Sequence, residues 1–118
     1  MVLDENNKVR QSTIVNINGL VWDVDIVPSE SEALTIDGRQ CRGATWCGQQ
    51  RIVLSAMLNQ RTARRTITHE LSHAFLWSTQ VHCQDTYGEE ELCDFVACYA
   101  AQISRYADDI YTALFSDG

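Results

Sequence analysis

The chain has 118 residues, 45% of them hydrophobic, and a formal net charge of −7 at pH 7. This length and composition predict a single globular domain over residues 1–118, in which residues 1–12 are polar and expected to be loose. The acidic balance argues against nucleic acid as a direct partner, because phosphate binding requires a basic face. No apolar run approaches the roughly 18 residues of a membrane span, and the amino terminus does not resemble a signal peptide. We therefore expect a cytoplasmic protein that does not insert into a membrane.

The first predicted element is a β-hairpin. Alternating apolar residues mark strands over residues 13–17 and 20–26, and Asn18-Gly19 between them is a strong signal for a two-residue turn. The alternation predicts that one face of the second strand is buried. Pro28 and the polar residues after it end that strand.

A second hairpin is predicted farther along the chain. Its strands are residues 42–47 and 51–55, and its turn is at residues 48–50. The strand over 51–55 comes just before the first predicted helix, and we expect it at the edge of the sheet. There it could receive an extended peptide by backbone hydrogen bonding, or it could be a plain structural edge strand.

The next segment, residues 62–78, is predicted to be a helix, since it contains neither Pro nor Gly. Either Thr62 or Thr66 could cap its start. The apolar residues expected on its buried side are Ile67, Leu71, Ala74 and Phe75. The basic residues expected on its solvated side are Arg61, Arg64 and Arg65.

This helix carries the most informative motif of the chain, His69-Glu70-Leu71-Ser72-His73. The two histidines are four residues apart, so on a helix they lie on one face and can reach one Zn²⁺ at about 2.0–2.1 Å. Glu70 beside them can take a proton from metal-bound water. The alternative is a surface helix that carries these residues by chance, but its apolar flanks favour a metal site.

A second long helix is predicted from the spacing of Leu92, Phe95, Val96, Tyr99, Ala100 and Ile103. A catalytic zinc needs a third protein ligand, and the first turn of this helix offers carboxylates. Glu90 is favoured over Glu91, because Glu90 shares a face with Asp94, which could orient a ligand histidine. The alternative is that these acidic residues only complement the helix dipole. A last short helix is predicted over residues 106–115.

Two segments resemble the ImmA/IrrE-type metallopeptidases and the small phage-encoded proteins that share their pattern. The segments are Ile67-Thr68-His69-Glu70-Leu71-Ser72-His73-Ala74-Phe75-Leu76 and Glu90-Glu91-Leu92-Cys93-Asp94-Phe95-Val96-Ala97. The resemblance covers about half of the chain. It implies that His69, His73 and Glu90 are zinc ligands, that Glu70 is the base and that Asp94 supports a ligand. It also implies a gluzincin-like site and a regulatory protein as substrate.

Five cysteines remain, and they are expected to be free thiols because nothing indicates an oxidising compartment. They are Cys41, Cys47, Cys83, Cys93 and Cys98. Metal ligation by Cys83, near the motif, is the less favoured reading of that residue. His82 and Tyr87 are candidates for a donor that stabilises the oxyanion, against the more ordinary role of loop packing.

The sequence as a whole predicts an α+β, zincin-like fold, with a small twisted antiparallel sheet packed on the HExxH helix and a second long helix. The expected activity is zinc-dependent hydrolysis of a peptide bond in a peptide or protein substrate. Two alternatives stay open: a non-catalytic, zinc-stabilised interaction or regulatory protein, and a hydrolase acting on a non-peptide amide or small molecule. The sequence gives no indication of oligomeric state.

Overall fold

Two helices and two sheets make up the part of the chain that the structure, a computed structural model, describes: residues 7–79 and 88–115. The strands are β1 (Gln11–Ile17), β2 (Leu20–Val27), β3 (Thr35–Ile36), β4 (Arg39–Gln40), β5 (Gly43–Trp46) and β6 (Arg51–Ser55). The helices are α1 (Gln60–Ser78) and α2 (Glu89–Leu114). Single 3-10 turns lie at Glu32–Leu34 and Cys47–Gln49. The predicted α+β class is confirmed at this level.

The main sheet has the strand order β1-β2-β6-β5. Its outer pairs are antiparallel, but β2 and β6 are parallel, so the sheet is mixed and the prediction of an antiparallel sheet was wrong. The expectation that residues 51–55 form an edge strand was also wrong, because β6 lies between β2 and β5. A run of consecutive buried residues, Ile52-Val53-Leu54, is what a strand covered on both faces requires. The edge strand on this side of the sheet is β5.

Both predicted hairpins are present. Asn18 and Gly19 adopt φ of 52° and 87°, as a two-residue turn of the twisted hairpin requires. The second hairpin turns through Cys47–Gln49 and closes at Gln50, which has φ of 51°. A third hairpin joins β3 and β4. The sequence analysis missed it, although its Asp37-Gly38 turn is a recognised hairpin signal.

The helix boundaries differ from the predicted ones. Helix α1 is capped by Asn59, whose side chain accepts a hydrogen bond from the backbone N–H of Thr62 at 2.9 Å, and not by Thr62 or Thr66. Helix α2 continues without a break to Leu114, so the prediction of a separate last helix over residues 106–115 was wrong. Neither Gly nor Pro occurs between residues 89 and 114 to interrupt it.

The helices cover one face of the main sheet and form the larger core cluster with it. Phe75 of α1 is fully buried, and its ring centroid lies 5.8 Å from that of Tyr99 and 5.9 Å from that of Tyr106 on α2. A smaller cluster on the opposite face consists of Val27, Leu34, Ala44 and Val53. The helix that carries the histidines is thereby fixed against β5 and β6, and α2 packs against β1.

Helices α1 and α2 run antiparallel. Arg64, near the start of α1, pairs with Asp108 at 2.7 Å and donates to the backbone carbonyl of Ser104 at 3.2 Å. Phe75, near the end of α1, meets Tyr99 on α2. The first part of α2 therefore extends past the end of α1, and Leu92 and Val96 are exposed there, contrary to the predicted apolar face. Neither helix of the described chain is long and apolar enough to cross a membrane.

Candidate metal centre

His69 and His73 face one another across a gap that suits a metal ion. Their Nε2 atoms are 3.3 Å apart, and the ring planes are inclined at 77°. Two nitrogen ligands at about 2.0–2.1 Å from one zinc ion, at the tetrahedral angle, are about 3.3–3.4 Å apart. The distance fits two ligands of a tetrahedral ion, and it equally fits a direct hydrogen bond between the two imidazoles, whose donor is set by the tautomer.

Glu70 lies beside this pair but is held in a very different environment. Its side chain is 8% exposed, whereas that of His69 is 67% exposed. The hydroxyl of Thr45, on β5, donates to Oε1 of Glu70 at 2.7 Å. The other carboxylate oxygen, Oε2, lies 4.0 Å from Nε2 of His69. One oxygen of the carboxylate is thus held by the sheet, and the other lies on the side of His69.

The edge strand can come this close to α1 because residue 43 has no side chain. A Cβ atom at Gly43 would lie 2.9 Å from Cγ2 of Thr66 and 3.1 Å from Cγ of Glu70. Both distances are too short for ordinary van der Waals contact. Gly43 therefore sets the separation between β5 and α1, and with it the reach of the Thr45 hydroxyl to Glu70.

Two cavities open on either side of the motif and share Gly43, His69 and Glu70 in their walls. The larger, of about 600 Å³, is also lined by Ile36, Cys41, Ala44, Thr45, Cys47, His73, Leu76 and Trp77. The smaller, of about 290 Å³, is also lined by Arg42, Thr62, Arg65 and Thr66. Together they form a groove between α1 and β5 that passes over the histidines, which we call the α1–β5 groove.

In the part of the chain that the structure describes, the predicted third ligand, Glu90, does not line this groove. Within 7–79 and 88–115, no group of three or more His, Cys, Asp or Glu side chains is placed to hold a metal ion. Tyr99 of α2 meets Phe75, just past His73, and Glu90 precedes Tyr99 by nine residues, or about 13 Å along the helix. The antiparallel packing carries Glu90 away from the histidines.

Two neighbouring carboxylates, Glu91 and Asp94, lie with Glu90 near the exposed start of α2. Asp94 is exposed, and so is Glu91, whose carboxylate folds back over Gly88 at the beginning of its own helix. The assignment of Glu90 as ligand and of Asp94 as its support remains a prediction. His82, Cys83 and Tyr87 lie outside the described residues.

The four described cysteines are free thiols, as expected. Cys41 and Cys47 line the larger cavity, and Cys93 and Cys98 are exposed on α2. Burial raises the pKa of the Cys47 thiol above its ordinary value, so that this thiol is neutral at pH 7. A neutral thiol is a poor nucleophile.

Comparison of the chain with protein-family models, with curated proteins and with solved structures found no match. Sequence reasoning located the histidine pair and Glu70, but it missed Thr45 and Gly43. No local pattern connects these two residues with Glu70, since they meet it only through the packing of β5 on α1.

Proposed function

We propose that this protein is a zinc-dependent peptidase in which His69 and His73 hold the metal ion and Glu70 acts as the base. The observation that carries the proposal is the 3.3 Å separation of the two Nε2 atoms beside a buried glutamate with one oxygen directed toward them. A purely structural zinc site has no need of such a glutamate, because it uses protein ligands in all four positions.

Zinc bound at the histidines would supply Lewis acidity, lowering the pKa of a water molecule and polarising the carbonyl of the scissile bond. Glu70 performs the proton transfers. Its Oε2 takes a proton from the attacking water and later gives that proton to the leaving amine. Thr45 restrains the carboxylate through Oε1, so that Oε2 stays on the side of the histidines.

The open groove favours a peptide over a small molecule as substrate. Strands β5 and β6 are antiparallel, and the backbone N–H of Ser55 on β6 donates to the carbonyl of Arg42. Arg42 is therefore a residue whose backbone groups are directed toward β6. Because such bonding alternates, the backbone groups of Gly43 and Thr45 are directed to the other side, away from β6. An extended peptide could pair with them along the α1–β5 groove.

A third protein ligand is still needed, and we propose that it comes from the first turn of α2. Glu90 is the predicted ligand, by the resemblance of this turn to the ImmA/IrrE-type metallopeptidases. For Glu90 to reach the histidines, the start of α2 must approach the end of α1 when the metal binds. By the same analogy the substrate is a regulatory protein.

The test is the zinc content of the purified protein by elemental analysis, for the wild type and for Glu90→Ala, Glu91→Ala and His82→Ala. We expect about one zinc per chain in the wild type, lost with Glu90→Ala and kept with the other two. Loss with Glu91→Ala or His82→Ala alone would move the third ligand to that residue. A wild type that takes up no zinc, even after reconstitution at neutral pH, would refute the proposed function.

Thr45→Val is expected to lower kcat about 10- to 100-fold with little change in KM, because a support of the base is lost and the substrate contacts stay. Thr45→Ser keeps the hydroxyl and is expected to retain most of the wild-type rate. Both variants should bind zinc as the wild type does, since neither changes a histidine. The measurement is steady-state cleavage of a casein-derived peptide. Equal rates for the Val and Ser variants would show that the hydroxyl does not position Glu70.

A further inference from the structure

Two exposed arginines, Arg42 and Arg65, line the smaller end of the α1–β5 groove. Arg42 directly precedes β5, and Arg65 lies on α1 one turn before His69. Both line the cavity of about 290 Å³ that shares Gly43, His69 and Glu70 with the larger cavity. An anion bound between these arginines would therefore lie next to the proposed catalytic residues.

Neither arginine is neutralised within the described chain. The arginine ion pairs among residues 7–79 and 88–115 are Arg51–Asp25 and Arg64–Asp108. Glu70 lines the same cavity, but its side chain interacts with Thr45 and lies near His69, and it is paired with neither arginine. The whole chain has 16 acidic and 9 basic residues. The smaller cavity is therefore a local site of positive charge in a chain whose net charge is negative.

The position of the cavity on α1 adds to its positive potential. Thr62, which also lines it, belongs to the first turn of the helix, where the dipole presents its positive end. Guanidinium groups bind carboxylates by paired, charge-assisted hydrogen bonds, which fix both the position and the orientation of the anion.

We propose that Arg42 and Arg65 form a subsite for a carboxylate of the peptide substrate, a proposal that rests on the proposed peptidase function. The other end of the groove is mainly apolar, with Ile36, Leu76 and Trp77 in its walls. The substrate class is then a peptide with a carboxylate on one side of the scissile bond and an apolar side chain on the other. The carboxylate belongs either to an Asp or Glu side chain or to the carboxyl terminus of the peptide.

The test is a binding titration of the zinc-free chain, followed by the NMR signals of the arginine Nε–H groups. Without zinc, a carboxylate cannot bind by coordinating the metal, and the result does not depend on whether the metal site exists. The probes are three acetylated five-residue peptides of alanine with one leucine. The first has a glutamate two residues before the leucine and an amidated end, the second has glutamine there and a free carboxyl end, and the third has glutamine and an amidated end.

We expect the first or the second peptide to bind at least about tenfold more tightly than the third, since charge-assisted, paired hydrogen bonds to a guanidinium are stronger than neutral ones. The peptide that binds identifies a side chain or a chain terminus as the source of the carboxylate. Arg42→Gln and Arg65→Gln should each remove this preference. Arg105→Gln is the matched control, because Arg105 is exposed on α2 and does not line the cavity.

Equal binding of all three peptides would overturn the subsite. It would also be overturned if Arg105→Gln removed the preference as fully as Arg42→Gln and Arg65→Gln do. Either result leaves the zinc content unaffected, so it would not bear on the proposed function. Conversely, the elemental analysis could show that the wild type takes up no zinc while the titration still shows a carboxylate preference. That result would refute the peptidase function and leave a carboxylate-binding groove. Elevated salt should weaken the preference, because exposed charges are screened.

Discussion

Replacing Glu70 by glutamine is expected to slow peptide hydrolysis by about 10²- to 10⁴-fold while the zinc content stays that of the wild type. Glutamine has nearly the shape of glutamate and keeps an oxygen to accept the Thr45 hydroxyl. It cannot take a proton from water, so the variant should lose the chemical step and little else. Steady-state kinetics on a peptide substrate and elemental analysis of the same preparation measure both quantities.

The matched control for this change is Glu30→Gln, which removes one negative charge at an exposed position outside the groove. It should hydrolyse the peptide at the wild-type rate. If Glu70→Gln were as active as this control, Glu70 would not be the base. Loss of zinc from Glu70→Gln would instead give the carboxylate a role in the metal site itself.

The second large effect is expected for His73→Ala. Removing one of two ligand imidazoles should weaken zinc binding by more than about 100-fold, because the loss of a residue that only supports a ligand already costs 10- to 100-fold. Hydrolysis should fall with the metal. His69→Ala is expected to behave in the same way, since the two Nε2 atoms face the same gap. Zinc affinity by competition with a chelating dye gives the measurement.

Cys41→Ser serves as the control for the histidine variants, because Cys41 lines the larger cavity and carries the other common kind of zinc ligand. Its zinc affinity should equal that of the wild type. A wild-type affinity in both histidine variants would place any zinc elsewhere in the chain. An affinity that falls in Cys41→Ser as in His73→Ala would assign Cys41 to the ligand set.

The features that the sequence predicts well are those set by neighbours along the chain. The turn at Asn18-Gly19 follows from the φ values those residues tolerate, and the approach of His69 to His73 follows from helical spacing alone. The position of β6 is different, since the partner of a strand is decided by packing far along the chain. The consecutive burial of Ile52, Val53 and Leu54 explains its inner position, and that apolar run was readable in the sequence.

The surroundings of Glu70 could not be predicted in the same way. Thr45 lies 25 residues before Glu70, and the hydrogen bond between them exists only because β5 packs on α1. The distance between Glu90 and the histidines likewise depends on the antiparallel register of α2, which Arg64 and Phe75 fix. Periodicity placed Glu90 on a helix, but it contains no information about where along α1 that helix would lie.

The backbone groups of β5 that are directed away from β6 also have a consequence for colloidal behaviour. Among residues 7–79 and 88–115, no other strand pairs with this side of β5. An unpaired strand edge is a template for any extended chain, including an unfolded copy of the same protein, and so it is a starting point for aggregation. The strand is only four residues long, which limits the number of backbone bonds that such a copy could form. Capture of a peptide and self-association would use the same main-chain groups. A side-chain substitution that blocks self-association at this edge is therefore expected to weaken peptide capture as well.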